Sequence, residues 1–253
     1  MWPAYVLNLA ADTRRLAAAA AALDGAGVGF ERVAGVDGRA LSEADIARVY
    51  DAVANRRRAR HPLVPAEIGC YLGHIAAWRR IAGGRAPGGF VFEDDVAVTG
   101  DLAAILAALS ADCDDWDMVK LFSLDPTPRT VRRRPLVGAT ELVIPYRVPT
   151  TLLGYGLTRA AAARLADRAI PFFRPVDEDQ KFFWETGLRV ALTLPAPIAM
   201  GDQRAALGTV GQHRREATRG ARRRDPRRAL HGWLCQLRYR VALAWHRARG
   251  TGL

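Results

Sequence analysis

Cysteine is scarce in this chain: Cys70, Cys113 and Cys235 are the only three among 253 residues, and no two form a Cys-x-x-Cys pair. That spacing excludes a disulfide framework and fits a reducing compartment. Lysine is scarcer still, with Lys120 and Lys181 alone. The basic charge is therefore carried by arginine, a bias that a GC-rich genome produces as readily as a binding function does. No apolar run reaches the roughly 18 residues of a membrane span. Residues 1–10, MWPAYVLNLA, lack a basic stretch ahead of an apolar core and turn polar at Asn8. No signal peptide is expected there.

Half of the residues are hydrophobic and 25% are charged, which is ordinary globular composition and excludes global disorder. The length allows one large domain, or one domain with an appendage. The net charge of +11 invites a nucleic-acid reading, so its location matters. Residues 203–253 hold 13 arginines and two acids, whereas residues 1–202 balance 24 basic against 24 acidic side chains. The excess belongs entirely to the last fifth of the chain.

Strand-like and helix-like segments alternate. Residues 4–9 read as a buried strand ending at Asn8, and Asp12 or Thr13 can cap an Ala-rich helix to about Ala26. Residues 30–38 read as a strand and turn. Ser42, with Asp45 three residues on, opens a helix to about Val53. Residues 56–62, RRRARHP, read as a basic loop, and Pro65 starts the next helix. FVFEDDVAV follows a Gly/Pro loop, Asp101 caps a helix to about Leu109, and residues 116–122 form another buried strand. Residues 125–150 read as irregular strands and loops. Helices over 158–169 and 176–187 and a strand at LRVALTLP complete the body. This alternation predicts an α/β fold with a mostly parallel sheet, which binds ligands at the carboxyl ends of its strands.

Three features carry candidate chemistry. Glu93, Asp94 and Asp95 end an apolar strand, and three adjacent carboxylates repel unless a cation neutralises them. Oxygen ligands of this kind suit Mg²⁺ or Mn²⁺ carrying a diphosphate, although such triplets also occur as solvated loops. Strand alternation would point Glu93 and Asp95 one way and Asp94 the other. On the helix from Pro65, Glu67, Tyr71, His74 and Trp78 share one face. That face is either turned to a substrate, or a buried His74–Glu67 pair that orders the helix. Finally, Asp177, Glu178 and Asp179 follow Pro175. Asp177 reads as an N-cap or as a general base.

The order of the motifs VLNLAADTRR, AGVDG, AEIGCYLGHIAAWRR, FVFEDDVAV, DMVKL, TLLGYGLTRAAAARL, RPVDEDQ and DQRAALG resembles glycosyltransferase family 25, over about residues 2–215. The family comprises bacterial lipooligosaccharide galactosyltransferases and relatives of the collagen galactosyltransferase catalytic domain. The resemblance implies a GT-A-like nucleotide-sugar fold and inverting transfer of a hexose, usually galactose from UDP-galactose, to a sugar hydroxyl. It also implies Mn²⁺ or a similar ion at the acidic triplet. Asn8, Arg15, Glu93, Asp94, Lys120, Gly154, Tyr155 and Gln203, with Asp202 beside it, are then expected around the donor. Asp94, Asp95 and His213 are expected around the metal. Glu67 and His74 match the family's Glu-x-x-Cys-x-x-x-His helix, and Asp177, with Glu178 and Asp179 as rivals, its Pro-x-Asp acid. Gly73 stands where the family usually has Ser, and the VRRR run before Pro135 matches nothing.

The expected division is a catalytic domain over 1–215 and an Arg-rich tail over 216–253. In the tail, Leu230, Trp233, Leu234, Leu237, Val241, Ala244 and Trp245 fall on one helical stripe flanked by arginines. This suits either an anionic membrane surface or docking on the catalytic domain. The expected partners are a nucleotide sugar and a glycan or lipid-linked glycan acceptor. The expected location is cytoplasmic, peripheral on the inner membrane of a bacterium. Competing readings are a nucleic-acid-binding protein using the basic tail, a metal-dependent phosphohydrolase, and an inactive scaffold.

Overall fold

The computed structural model describes residues 1–201 and 226–250, with the backbone alone for 226–229. β1 (Ala4–Asn8) leads into α1 (Thr13–Gly25), where the Asp12 side chain accepts the Arg15 N–H and caps the first turn. β2 (Phe30–Ala34) follows. The single helix expected after Ser42 is two, α2 (Glu43–Val49) and α3 (Ala52–Arg58). The break falls at Tyr50 and Asp51, because Asp51 accepts the N–H groups of Val53 and Ala54 and starts a new helix. Arg56–Arg58 therefore lie in the last turn of α3 rather than in a loop, where cations favour the helix dipole.

α4 (Pro65–Ala82) begins with proline at its first position, where no N–H is needed. Glu67 accepts the Val64 N–H at 2.9 Å and closes the helix start. β3 (Gly88–Glu93), β4 (Val96–Val98), α5 (Leu102–Ala111) and β5 (Met118–Lys120) come next. Residues 125–150 are more regular than expected, with β6 (Thr130–Val137) and β7 (Thr140–Pro145) forming an antiparallel hairpin. Its arginine run is explained by ion pairs: Arg132 and Arg134 to Asp115, Arg134 to Asp112, and Arg133 to Glu141. β6 is an edge strand, and charge on an edge discourages further pairing.

β8 (Gly154–Thr158), α6 (Arg159–Arg168), the short α7 (Val176–Asp179) and α8 (Phe183–Thr186), β9 (Val190–Leu194) and β10 (Ile198–Met200) complete the body. The main sheet runs β2-β1-β3-β8-β5-β9-β7-β6. β8 and β7 are antiparallel to their neighbours, and the other six strands share one direction. Alternate residues feed two cores. Tyr5 and Val91 pack with Ile75 and Trp78 of α4 and Leu165 of α6, while Val6, Phe90 and Phe92 pack with Leu23 of α1 and Leu106 of α5. This mixed α/β sandwich is consistent with a GT-A-like fold. The last helix, α9 (Pro226–Ala248), lies against α8 through Tyr239 and Leu243. Among the described residues, no helix is long and apolar enough to cross a membrane.

Candidate active site

A cavity of about 590 Å³ opens at the carboxyl ends of β1 and β3. Their register sets Leu7 beside Glu93, so Asn8 and the acid run end at one level. Asn8 is buried and works on three sides. Its amide donates to Asp94 Oδ2 at 2.7 Å and to the Asp12 carbonyl at 2.9 Å, and its Oδ1 accepts from Arg32 Nε at 3.1 Å. Arg15, in the first turn of α1, reaches Asp94 Oδ1 at 2.5 Å and Asp95 Oδ2 at 3.5 Å. Burial still raises the Asp94 carboxyl above its ordinary value, against the pull of Arg15 and Asn8.

Asp94 and Asp95 share Arg15 because β3 ends at Glu93 and the next two residues form the turn into β4. Strand alternation therefore stops one residue early, and the expected opposition of Asp94 and Asp95 does not arise. Glu93 points to α4, where its Oε1 lies 3.4 Å from His74 Nε2. His74 is fully buried, and its Nδ1 lies 2.8 Å from the Tyr155 hydroxyl. That hydroxyl also accepts the Trp78 indole N–H at 2.9 Å. His74 thus pairs with Glu93, while Glu67 serves its own helix start.

The cavity is also lined by residues 150–153, whose Leu153 carbonyl accepts the Glu93 N–H at 2.9 Å, and by residues 175–178. Asp177 accepts the Thr151 N–H at 3.4 Å and the Glu178 N–H at 2.8 Å, and both acids line the cavity. Asp179 does not line it. Its carboxylate takes the Tyr71 hydroxyl at 2.7 Å and the Arg174 guanidinium at 2.6 Å, and Arg174 also binds Glu185. Lys120, Gly154 and Tyr155 also stand behind the wall. Lys120 is 1% exposed and donates to the carbonyls of Pro149 and Thr151, the latter at 2.6 Å. Burial lowers its pKa to about 7, against the opposing pull of Asp177 and Glu93. A Cβ on Gly154 would meet Ile198 at 2.4 Å, so this glycine serves close packing. Asp202, Gln203 and His213 lie outside the described residues.

Residues 1–131 match the family model for glycosyltransferase family 25 (LPS biosynthesis protein), just over half of the chain. The chain belongs to glycosyltransferase family 25. It is also similar to procollagen galactosyltransferase 2 of Mus musculus, at 28% identity over 162 residues. That match covers 58% of this chain and 24% of the relative, so the chain spans about a quarter of that protein's length.

In this family 25 chain the cavity is rich in acid. Burial first, then the carboxylates of Glu93, Asp177, Glu67 and Asp95, push the Cys70 thiol well above its usual range. Such a field suits a cation, and the oxygen donors fit a hard divalent ion. Glu93, Asp94 and Asp95 are the oxygen donors that could hold one, and Arg15 already pairs with both Asp94 and Asp95. Cys70, His74 and Glu93 also bring one ligand atom each within 4.8 Å of one another.

Three contributors escaped the sequence reading. Arg32 braces Asn8 from the neighbouring strand, which parallel pairing of β1 with β2 could have suggested. Thr151 lines the cavity with a φ of 75°, a left-handed conformation that no local residue type announces. The backbone of Val36–Gly38 lines it too, because α4 lies directly on it: a Cβ on Gly69 would come within 2.2 Å of the Val36 carbonyl oxygen.

Proposed function

We propose that this chain transfers a hexosyl group, galactosyl in the first instance, from a UDP-sugar to a hydroxyl of a glycan acceptor, with inversion. One observation carries the reading: in a family 25 chain, Glu93, Asp94, Asp95 and Asp177 line one and the same cavity. Asp177 takes the proton of the acceptor hydroxyl as its oxygen attacks the anomeric carbon. The bond to the diphosphate breaks on the opposite face, and UDP leaves. Glu178 is the neighbouring carboxylate in the same wall, whereas Asp179 is committed to Arg174 and Tyr71. Arg15 supplies the cation nearest the acid run and takes a phosphate oxygen of the donor. His74, anchored through Tyr155, holds the Glu93 carboxylate in place. A divalent ion, Mn²⁺ in this reading, would be held among Glu93, Asp94 and Asp95 and would neutralise charge on the leaving diphosphate.

The acceptor in this reading is a lipooligosaccharide, lipopolysaccharide or other lipid-linked glycan, which brings a bacterial enzyme to the cytoplasmic face of the inner membrane. A thermal-shift panel of nucleotide sugars, with and without Mn²⁺, tests donor and metal together. The expected result is stabilisation by UDP-galactose that depends on Mn²⁺. Equal melting temperatures across the whole panel would remove the reading.

A further inference from the structure

Helix α9 has two apolar faces, and among the described residues only one is covered. The inner face buries Tyr239 and Leu243. Tyr239 packs on Phe182 and Trp184 at ring distances of 5.2 and 5.9 Å, and His246 stacks on Trp184 at 4.8 Å. Arg247 donates to the carbonyls of Pro145 and Tyr146 at 2.6 and 3.1 Å, and His231 Nε2 lies 3.0 Å from the Ala59 carbonyl. These contacts set the orientation of the helix on the body.

The outer face carries Leu230, Trp233, Leu237, Val241 and Trp245, between 42% and 62% exposed. Their spacing of three, four, four and four residues places them on one stripe about 22 Å long. Arg238, Arg240 and Arg249 flank it and are exposed. Arg60 and His61 face the stripe across a groove of about 520 Å³, lined on the helix side by Trp233, Leu237 and Arg240. Residues 226–250 contain six arginines and no acid. An occupant must therefore be apolar along the middle and anionic at the edges.

We propose that the outer face of α9 seats the protein on an anionic lipid bilayer. The two tryptophans and three aliphatic side chains enter the headgroup–acyl boundary, and the arginines take lipid phosphates at its rim. The groove between Arg60 and Arg240 receives one such headgroup. A nucleic acid would meet the charge at the edges but gain nothing from Leu230, Leu237 and Val241 between the tryptophans. A second copy of the chain would bring the flanking arginines against their own kind. The proposal stands whether or not the donor is a UDP-hexose.

The test is co-sedimentation of the full chain with phosphatidylcholine vesicles, with and without about 30 mol % phosphatidylglycerol. Tight binding is expected only to the anionic vesicles. Leu237→Asp with Val241→Asp, both at exposed positions, should weaken it at least tenfold and leave the melting temperature unchanged. Arg60→Ala with Arg240→Ala should weaken it by about fivefold per arginine. Inorganic phosphate at the same phosphate concentration should not compete. The proposal is overturned by equal binding to neutral vesicles or by unchanged binding of the aspartate variant. It is equally overturned by competition from free phosphate, or by RNA binding or self-association that the aspartate variant abolishes without any vesicle binding.

Discussion

Removing one oxygen atom from the core, by Tyr155→Phe, tests how the cavity wall is held. The Tyr155 hydroxyl serves Trp78 Nε1 at 2.9 Å and His74 Nδ1 at 2.8 Å, and all three side chains are fully buried. Phenylalanine fills the same ring space, so the change creates almost no cavity. What it leaves is a buried indole N–H with no acceptor and a buried imidazole nitrogen with no partner. Each such group costs about 1–3 kcal/mol, so a loss near 3 kcal/mol is expected once the surroundings relax. For a chain of this size that is a fall in Tm of about 6–12 °C. Calorimetry and urea unfolding measure it. His74 also faces Glu93 at 3.4 Å, so the variant should bind the donor several-fold more weakly with kcat little altered. A Tm within about 1 °C of wild type, with unchanged donor binding, would refute the reasoning, because that loss lies well below the cost of one unpaired buried group.

Lys120→Met probes the buried amine behind the Thr151 wall. The unfolded chain holds the Lys120 proton up to about pH 10.5, while the folded chain releases it near 7. Between those values the unfolded state binds more protons. Wild-type stability should therefore rise relative to the variant as pH increases from 7 towards 10, by at most about 1.4 kcal/mol per pH unit. Urea midpoints at pH 7, 8 and 9 check this, and parallel curves for the two proteins would count against a neutral buried lysine. Gly69→Ala forces a Cβ to within 2.2 Å of the Val36 carbonyl oxygen and 2.5 Å of the Gly38 nitrogen. Since only backbone can yield there, a loss of about 3 kcal/mol or more is expected, at the upper end of overpacking costs. Donor-induced thermal shifts should shrink with it, and wild-type values for both would mean the two segments separate freely.

Much of this architecture was legible where one local signal spoke unopposed. Asp12 before an alanine run, Pro65 before a long apolar helix and FVF before three acids each predict the element that forms there. Legibility failed where partners distant in sequence decide the outcome. The helix expected over 176–187 is broken, because Asp177 turns to the Thr151 loop while Asp179 is drawn back to Arg174 and Tyr71. The Arg132–Arg134 run lacks apolar alternation, yet acids at 112, 115 and 141 hold it in a strand. In α9 the stripe read from the sequence stays largely exposed, while a second stripe, hidden among Arg238, Arg240 and Arg247, does the docking. The site was readable as residue types but not as pairings. Nothing in the sequence says that His74 turns to Glu93 rather than Glu67, or that Arg15 bridges Asp94 and Asp95.

The central claim is that Asp177 is the base of a glycosyl transfer. Its most direct test is the turnover of UDP-galactose by Asp177→Asn at saturating donor and acceptor, beside wild type and Asp179→Asn. Asp177→Asn should lose about 10²–10⁴-fold in kcat while keeping its donor-induced thermal shift. Asp179→Asn should melt earlier yet turn over nearly normally below its Tm. Turnover by Asp177→Asn within about threefold of wild type would contradict the account, because losing a general base costs at least about a hundredfold.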